Sequence, residues 1–512
     1  MHTEESLKGI VRERLRGRRF VVVSNREPFI HRWDNGEIVC VQPASGVTTA
    51  LDPVLRATNG LWVAHGSGDA DAQTVDEASR VKVPPERPRY TLKRVWLSEA
   101  QEKLYYYGLS NQALWPLCHV VYQRPVFEEA HWQCYKQVNR LFADAVAEEI
   151  GSEPAFVFIQ DYHLGLLSRM VKQRCPNAIT AQFWHIPWPN PEVFRIFPWR
   201  QELLESLLDN DILGFHLRYH CLNFVETVDR FLEARVDAEK LAVSYQGALT
   251  KVRAFPISVD FEAISAEAAT PEVDDEVARL REHYGLNAEF LAVGVDRLDY
   301  TKGIPERFRA VDRFLDTCPH YRERFTLFQA GVPTRSAIPQ YQQVEAECRA
   351  LAAQINHKHG TADWRPIVFV ERHFMPPALH AIFRMAKVCI VSSLHDGMNL
   401  VAKEFVSARA DDAGVLVLSS FTGAARQLED AVLVNPYAVD RFAGAIRQAL
   451  EMNPEEVRQR MRRMRKSVQR HNIYRWATHI VEKLSGLCEE MEEEAPEDDS
   501  PMERLVAAQA GD

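Results

Sequence analysis

The chain contains 512 residues, of which 46% are hydrophobic and 26% are charged, and this ordinary globular composition favours two or more domains. Its formal net charge of −10 comes mostly from residues 489–499, which hold eight acids and no base and leave the rest near neutral. No basic face dominates, which argues against a nucleic-acid surface.

Apolar runs of four to six residues recur along the chain with amphipathic segments between them. Such runs predict strands buried on both faces, as in parallel sheets covered by helices. The alternation of strands and helices predicts an α/β fold with two doubly wound, Rossmann-like domains. The predicted strands are 20–24, 156–160, 179–184 and 211–215 in the first half and 290–295, 325–329, 367–370, 388–391 and 415–418 in the second.

The predicted domain boundary lies at residue 256, where a strand ends and an acidic, alanine-rich stretch follows. Residues 1–256 and 257–486 are therefore the expected domains, and the acidic segment 487–512 is expected to be a disordered tail.

Two local patterns complete the predicted elements. The sequence Asp34-Asn35-Gly36-Glu37 is typical of a type I′ hairpin turn, so residues 27–42 are expected to form a β-flap. Residues 441–485 are predicted to be helical, and their basic run 458–470 is interpreted as a solvated helix face.

The cysteines and the hydropathy pattern indicate the cellular compartment in which the protein is expected. The nine cysteines are scattered, odd in number and without a CxxC pair, which argues for a reducing compartment and against a structural zinc or a disulfide framework. The N-terminus has no apolar h-region, and no apolar run reaches about 18 residues. We therefore expect a cytoplasmic protein without a membrane partner.

Basic side chains follow several predicted strands at the end where open α/β sheets bind ligands. Arg297 and Lys302 lie five residues apart across a turn and could both reach a diphosphate. Arg26 and Arg335 also follow strands, where each could hold a second anion. For each of the four, a purely structural surface role is the competing interpretation.

The segment 394–404 combines an acid, a glycine and a second acid around the start of a predicted helix. Asp396 could hold a sugar hydroxyl, the amides from Gly397 to Leu400 a phosphate, and Glu404 a ribose diol. This arrangement suits a nucleotide-sugar site, and the simpler alternative is a capped helix after a core strand.

Further polar and aromatic residues are candidates for an acceptor site. Asp161 and His185 follow apolar strands, and they could hold an acceptor hydroxyl or cover a sugar ring. Tyr106 and Trp115 belong to aromatic clusters that could form a sugar platform. Satisfied buried polar groups and ordinary core packing are the alternatives.

Motifs for other chemistries are missing. No Gly-x-Gly-x-x-Gly follows a strand, and the chain has no Walker A loop, Gly-x-Ser-x-Gly elbow or His-Glu-x-x-His pair. No haloacid-dehalogenase element is present, so we expect no attached sugar phosphatase.

In combination, the motifs resemble those of trehalose-6-phosphate synthases, which are retaining glycosyltransferases with two Rossmann-like domains facing across a cleft, the B-type glycosyltransferase fold. The resemblance extends from about residue 20 to about residue 480, because several motifs match in order. They are Ser24-Asn25-Arg26, Ser110-Asn111, Leu114-Trp115-Pro116, Asp161-Tyr162-His163-Leu164, His185-Ile186-Pro187, Gly214-Phe215, 297–303 and 396–404.

The resemblance implies transfer of glucose from a nucleoside diphosphate glucose to glucose 6-phosphate, giving trehalose 6-phosphate with retained anomeric configuration. It implies catalytic roles for Arg297, Lys302, His185, Asp161 and Asp396. It further implies donor contacts at Gly46, Arg297, Lys302, His373, Phe374, Asp396, Gly397, Met398, Asn399, Leu400 and Glu404, and acceptor contacts at Arg26, Tyr106, Trp115, Asp161 and Arg335.

The mechanism that the resemblance implies is a front-face displacement. The acceptor hydroxyl attacks from the side on which the diphosphate leaves, and the leaving oxygen takes its proton. No protein nucleophile, metal or cofactor is implied, since two cations and helix amides can carry the diphosphate charge.

Two departures from the family pattern lie in the first half. The loop Ala44-Ser45-Gly46-Val47 has only the second of the usual paired glycines, and Gly66 lies in a segment where the family often has a tryptophan. The donor class is therefore better supported than the acceptor, and loss of the tryptophan is expected to open space.

Three functions stay open on the sequence alone: trehalose-6-phosphate synthesis, transfer to another phosphorylated acceptor such as glycerol 3-phosphate, and a silent regulatory subunit. The nucleotide could be UDP, ADP or GDP. A homo-oligomer is possible, and the tail has no assigned role.

Overall fold

The computed structural model describes residues 2–15, 17–43 and 46–494 of the chain. Their strands form two large sheets and one separate hairpin. In chain order the strands are β1 (Arg19–Ser24), β2 (Ile30–Asp34), β3 (Glu37–Val41), β4 (Leu61–His65), β5 (Arg80–Val83), β6 (Tyr90–Val95), β7 (Ala155–Gln160), β8 (Ile179–Phe183), β9 (Ile212–Phe215), β10 (Arg235–Asp237), β11 (Ala242–Tyr245), β12 (Ala248–Ala254), β13 (Phe290–Arg297), β14 (Phe325–Val332), β15 (Ile367–Val370), β16 (Val388–Val391), β17 (Val415–Ser419) and β18 (Val432–Val434).

Helices cover the sheets and connect their strands. Except for the helix at 103–114 and short 3₁₀ turns, they are α1 (Glu4–Arg14), α2 (Gly46–Thr58), α3 (Glu99–Glu102), α4 (Trp115–His119), α5 (Glu129–Ile150), α6 (Leu167–Arg174), α7 (Pro191–Phe194), α8 (Arg200–Leu207), α9 (Arg218–Phe231), α10 (Phe261–Glu267), α11 (Pro271–Tyr284), α12 (Ile304–Thr317), α13 (Pro339–His359), α14 (Ala378–Met385), α15 (Leu400–Ala408), α16 (Val439–Glu451), α17 (Pro454–Arg470) and α18 (Ile473–Glu494). Among the described residues, we find no helix with both the length and the apolarity needed to cross a bilayer.

The first sheet has the strand order β10-β11-β12-β9-β8-β7-β1-β4-β6-β5 and is parallel from β12 through β6. The chain adds β4 and β6 on one side of β1 and then β7, β8 and β9 on the other. The order therefore reverses between β1 and β7, and polar residues after these two strands meet at one crevice.

The second sheet has the order β15-β14-β13-β16-β17-β18, and all of its strands are parallel. Its order reverses between β13 and β16, so the ends of these strands form the corresponding crevice. Two doubly wound, Rossmann-like domains were predicted, and this prediction is confirmed.

Burial explains why the apolar runs form central strands. In β1, Phe20 and Val22 pack into one hydrophobic cluster, while Val21 and Val23 pack into another on the opposite face. All four are almost completely buried. Since successive side chains in a strand alternate between faces, a strand covered on both sides must be apolar throughout.

The segment Lys103–Leu114 is a π-helix that joins α3 to α4 without a break. Hydrogen bonds from residue i+5 to residue i widen this helix, as in the bond from the Trp115 amide to the Ser110 carbonyl. The apolar and aromatic composition of the segment did not predict the wider turn. π-Helical turns are frequent at functional sites, and this one carries three consecutive tyrosines.

The predicted hairpin is present as β2 and β3, and its turn residues Asn35 and Gly36 both have positive φ. A buried charged network anchors it to the first sheet. The Asp71 carboxylate accepts a hydrogen bond from the His31 amide at 2.7 Å, and Arg94 lies 2.7 Å from the same carboxylate. Arg94 also pairs with Glu27 at 2.9 Å.

Two chain segments connect the halves of the molecule. Residues 255–260 lead from β12 into α10, and the join between α17 and α18 returns to the first half, where α18 packs against α1 and α2. The predicted second half, 257–486, therefore includes most of a helix that contacts the first half. The last described helix also continues through Glu494, and residues 495–512 lie outside the described part.

Replacing Arg94 by Met should lower the free energy of unfolding by about 3–5 kcal/mol, because the change leaves buried Glu27 and Asp71 without their cation. Urea unfolding followed by tryptophan fluorescence measures the loss. The exposed Arg87→Met is the matched control and should change little. Equal stabilities of the two variants would contradict an anchoring role for the network.

Candidate active site

A cavity of about 370 Å³ lies between the carboxyl ends of the two sheets. Residues after β1 and β7 line it from one side and residues at the ends of β13 and β16 from the other, so both reversal points open into the same space. Of the residues predicted for the site, those that line the cavity are Arg26, Tyr106, Trp115, Asp161, His185, Arg297, Lys302, Arg335, Asp396, Gly397, Met398, Asn399, Leu400 and Glu404.

A buried ion pair lies at the centre of the second half's side. Lys302 Nζ donates to Asp396 Oδ2 at 2.6 Å, and Asn399 Nδ2 donates to the same oxygen at 3.2 Å. Burial acts to raise the pKa of Asp396, but the Lys302 ammonium outweighs it and holds that pKa below its ordinary value. The carboxylate is therefore ionised and able to accept hydrogen bonds.

The first residues of α15, Leu400 and Val401, line the cavity. Asn399 caps this helix with φ 86° and accepts a hydrogen bond from the Ala402 amide at 3.0 Å. Gly397, two residues before this cap, has no room for a side chain, since a Cβ there would lie 2.6 Å from the carbonyl oxygen of His185. This close approach brings the helix N-terminus, an anion-binding element, against the first half.

Basic and aromatic side chains form the wall where the two halves face each other. The Arg335 guanidinium lies 4.1 Å from the Trp115 ring centroid, and that of Arg297 lies 5.7 Å from it. Arg335 also donates to the Tyr341 hydroxyl at 2.5 Å and forms a 3.4 Å ion pair with Asp299. Such guanidinium groups are suited to planar recognition of phosphate.

Tyr106 brings a titratable hydroxyl to the same wall. Burial acts to raise the pKa of Tyr106, but Arg335 and Arg26 outweigh it and lower the pKa to about 7. A fraction of this tyrosine is therefore phenolate near neutral pH. The phenolate would compensate part of the positive charge of Arg335 and Arg26, which would then be less available to a bound phosphate.

Asp161 and His185 form a linked polar pair after β7 and β8. Asp161 has a positive φ of 70°, a strained conformation for this residue type, and accepts from the His185 amide at 3.1 Å. Burial raises the pKa of Asp161 to about 6. Burial lowers the pKa of His185 well below its ordinary value, so its imidazole is neutral and its Nε2 donates to Gln160 at 2.9 Å.

Two neighbouring residues of α15 have different surroundings. Glu404 lines the cavity, and burial raises its pKa to about 7. The buried Lys403 points away and donates to the Ile257 carbonyl at 2.6 Å. Helix α15 therefore contacts both the cavity and the segment that connects the two halves.

Two predicted donor contacts, His373 and Phe374, are not among the described residues that line the cavity. His373 is exposed, and the buried Phe374 ring packs 6.0 Å from that of Phe328. Gly46 begins α2, but its surroundings are outside the described part of the structure, as are Ala44 and Ser45.

The space expected beside Gly66 is filled. A Cβ on Gly66 would lie 2.5 Å from Cζ3 of Trp96, whose indole nitrogen donates to Ser79 at 3.0 Å. A tryptophan from the segment after β6 therefore occupies the position. Gly66 and Trp96 are both outside the cavity lining.

Several lining residues were not assigned a role from the sequence. Gln160 ends a predicted strand and His216 directly follows another. Ligands of open α/β sheets bind at the carboxyl ends of strands, so both residues could have been predicted in the way that Asp161 was. Helical His119 and Ile257 of the connecting segment carry no such signal. The others are Ser24, Asn25, Thr48, Tyr162, His163, Ile186, Asp296 and Val401.

A group with metal-ligand character lies elsewhere, on α12 and α13. Asp312, Asp316 and His359 could together hold an ion, but Lys358 Nζ already donates to the two carboxylates at 2.8 and 2.6 Å. The ammonium supplies the counter-charge, and none of these residues lines the cavity.

The chain matches the family described as Glycosyltransferase family 20 over residues 18–486. It is 36% identical to a protein named trehalose-6-phosphate synthase from Mycolicibacterium gilvum, over 91% of this chain and 93% of that protein. It is 35% identical to a bifunctional trehalose-6-phosphate synthase/phosphatase from Thermoproteus tenax, where the match covers 91% of this chain but 63% of the relative.

A solved structure has the same fold. It is an alpha,alpha-trehalose-phosphate synthase (UDP-forming) from Burkholderia xenovorans in complex with glucose-6-phosphate, with a TM-score of 0.82 and 29% identity over 91% of this chain and 99% of that one. The B-type glycosyltransferase fold and the enzyme class were predicted, and both predictions are confirmed. The chain belongs to glycosyltransferase family 20, together with the trehalose-6-phosphate synthases.

Proposed function

We propose that this chain transfers glucose from a nucleoside diphosphate glucose to glucose 6-phosphate and releases trehalose 6-phosphate with retained configuration. The carrying observation is that two cations at the cavity lack a carboxylate partner in the described part of the chain. Asp396 pairs with Lys302 and Asp299 with Arg335, whereas Arg297 and Arg26 have no ion pair among the described residues. A diphosphate and a phosphate would supply the missing negative charge.

We assign the donor to the second half's side of the cavity. Arg297 and Lys302 would hold the diphosphate together with the first amides of α15, and Asp396 would accept from sugar hydroxyls once Lys302 leaves it. Glu404 would accept from the ribose diol. His373 and Phe374 are kept as proposed contacts to the base through backbone groups, because the Phe374 ring is packed in the core.

We assign the acceptor to the opposite wall. Arg335 and Arg26 would bind its phosphate, with the Tyr106 hydroxyl between them. Trp115 would supply an apolar surface beside the sugar, and Asp161 would accept from an acceptor hydroxyl. The position of these groups opposite the donor side would bring the two sugars together in one space.

The chemistry follows from this placement. The acceptor hydroxyl attacks the anomeric carbon on the face from which the diphosphate leaves, so one carbon–oxygen bond forms as the other breaks. The departing phosphate oxygen takes the hydroxyl proton. Arg297 and Lys302 stabilise the charge that grows on the leaving group, which is the main contribution required of the protein.

A matrix of turnover assays tests the proposal. Purified protein is supplied with UDP-, ADP- or GDP-glucose and with glucose 6-phosphate, glycerol 3-phosphate or buffer, and products are identified by mass and NMR. We expect trehalose 6-phosphate from at least one donor, UDP-glucose first, given the UDP-forming relative. Transfer only to glycerol 3-phosphate would reassign the acceptor, and donor binding without any transfer would indicate a silent subunit.

Replacing Arg297 by Ala should lower kcat by about 10²–10³-fold, because it removes a fixed cation from the leaving diphosphate. Thermal unfolding and circular dichroism should stay unchanged. Arg441→Ala, at an exposed position on α16, is the control for a lost arginine. Turnover equal to that of the parent protein would disprove the leaving-group role.

The acceptor KM should depend on the ionisation of Tyr106. As the pH rises through about 7, the phenolate forms and competes with phosphate for Arg335 and Arg26, so the apparent KM for glucose 6-phosphate should rise. In Tyr106→Phe this rise should disappear, while the pH dependence of the donor KM stays as in the parent. Identical acceptor profiles for the two proteins would contradict the assignment.

A further inference from the structure

A hydrogen bond crosses the cleft next to the cavity. His395, which directly precedes Asp396, lies with its Nδ1 2.7 Å from the carbonyl oxygen of His119 at the end of α4. A carbonyl oxygen can only accept, so the Nδ1 of His395 carries the proton and donates it. The bond joins residues 276 positions apart in the sequence, one from each half.

From His119 the contacts continue to the wall of basic side chains. His119 Nδ1 donates to the Trp115 carbonyl at 2.8 Å, and the two ring centroids lie 4.1 Å apart. The Trp115 ring is in turn the surface against which Arg335 and Arg297 rest. His395 is therefore connected to both proposed substrate-binding arginines through His119 and Trp115.

The surroundings keep the imidazoles of His395 and His119 uncharged. Burial lowers the pKa of His119 to about 3 and also lowers that of His395, where the hydrogen bond to His119 and then the charge of Asp396 act in the opposite direction. The ring of His220 lies 6.1 Å from that of His395 and is likewise neutral. The contact between His395 and His119 is therefore a bond between a neutral imidazole N–H and a carbonyl oxygen.

We propose that His395 is a positioning residue that couples the donor and acceptor sites across the cleft. Donor binding orders the loop that holds Asp396, and the bond from His395 carries this order to His119 and Trp115. Trp115 then supports Arg335 in the position that binds the acceptor phosphate. The proposal rests on the proposed function for its assignment of the two sites.

Coupling of this kind is measured as a ratio of affinities. Isothermal titration gives the Kd of UDP with and without saturating glucose 6-phosphate, in the parent protein and in His395→Ala and His395→Asn. If the turnover assay identifies another nucleotide, its diphosphate replaces UDP. The side-chain amide nitrogen of asparagine lies where Nδ1 of histidine does, so His395→Asn can still donate to the His119 carbonyl.

We expect glucose 6-phosphate to tighten UDP binding in the parent, and coupling of this type typically amounts to about 5–150-fold. His395→Ala should lose most of that ratio while UDP alone binds as before, and His395→Asn should recover it. In turnover, His395→Ala should raise the acceptor KM more than it lowers kcat. His320→Ala, at an exposed histidine outside the cleft, should behave as the parent.

Two results would overturn the proposal. One is the absence of coupling in the parent, and the other is an unchanged ratio of UDP affinities in His395→Ala. If that ratio is unchanged while UDP alone binds more weakly, His395 has a local role in the donor loop. Parent protein that binds both ligands with coupling but transfers no glucose would leave this inference standing. That result would instead contradict the proposed function.

Discussion

In the described part of the chain, the presence of cations without a carboxylate partner in one partly closed cavity is the constraint on which the rest of the site depends. Lys302 and Arg335 each have a carboxylate partner, but Arg297 has none among the described residues and rests against Trp115 instead. Charges that are withdrawn from water without a partner are costly. The sheets and helices around the cavity must therefore sustain an electrostatic cost, which phosphates bound as proposed would relieve, and the binding energy could then serve to orient the sugars.

The ion pair between Lys302 and Asp396 limits that cost while the cavity is empty. At 2.6 Å each charge compensates the other, so a ligand that draws one group away has to compensate the group that is left behind. In the proposed function a nucleotide sugar would compensate both at once, because its diphosphate would bind Lys302 and its hydroxyls would bind Asp396. A diphosphate without the sugar would compensate only Lys302 and leave Asp396 buried without a cation. The pair would thus favour the complete donor over its fragments, which is specificity gained from an unpaired charge.

The sequence predicted the sheets and most of the cavity because both depend on local patterns. Continuous apolar runs indicate strands buried on both faces, and residues at the carboxyl ends of such strands meet in space, as Asp161 and Asp396 do. The π-helical turn that carries Tyr106, the packing of Trp96 on Gly66 and the bond from His395 to His119 were not predictable. Each depends on a partner distant in sequence or on a helix register that composition does not report.

The segments that connect the two halves show how the cleft can close. The Ile257 amide donates to His216 Nδ1 at 3.5 Å, and its carbonyl accepts from Lys403 at 2.6 Å, so one residue is bonded to both halves. The second connection is tied to the first, since the Ile473 amide donates to the Val259 carbonyl at 3.1 Å. Bonded connections on one side restrict the halves to rotation about that side. Because Lys403 lies in α15, whose first residues line the cavity, the proposed donor and the connecting segments would act on the same helix.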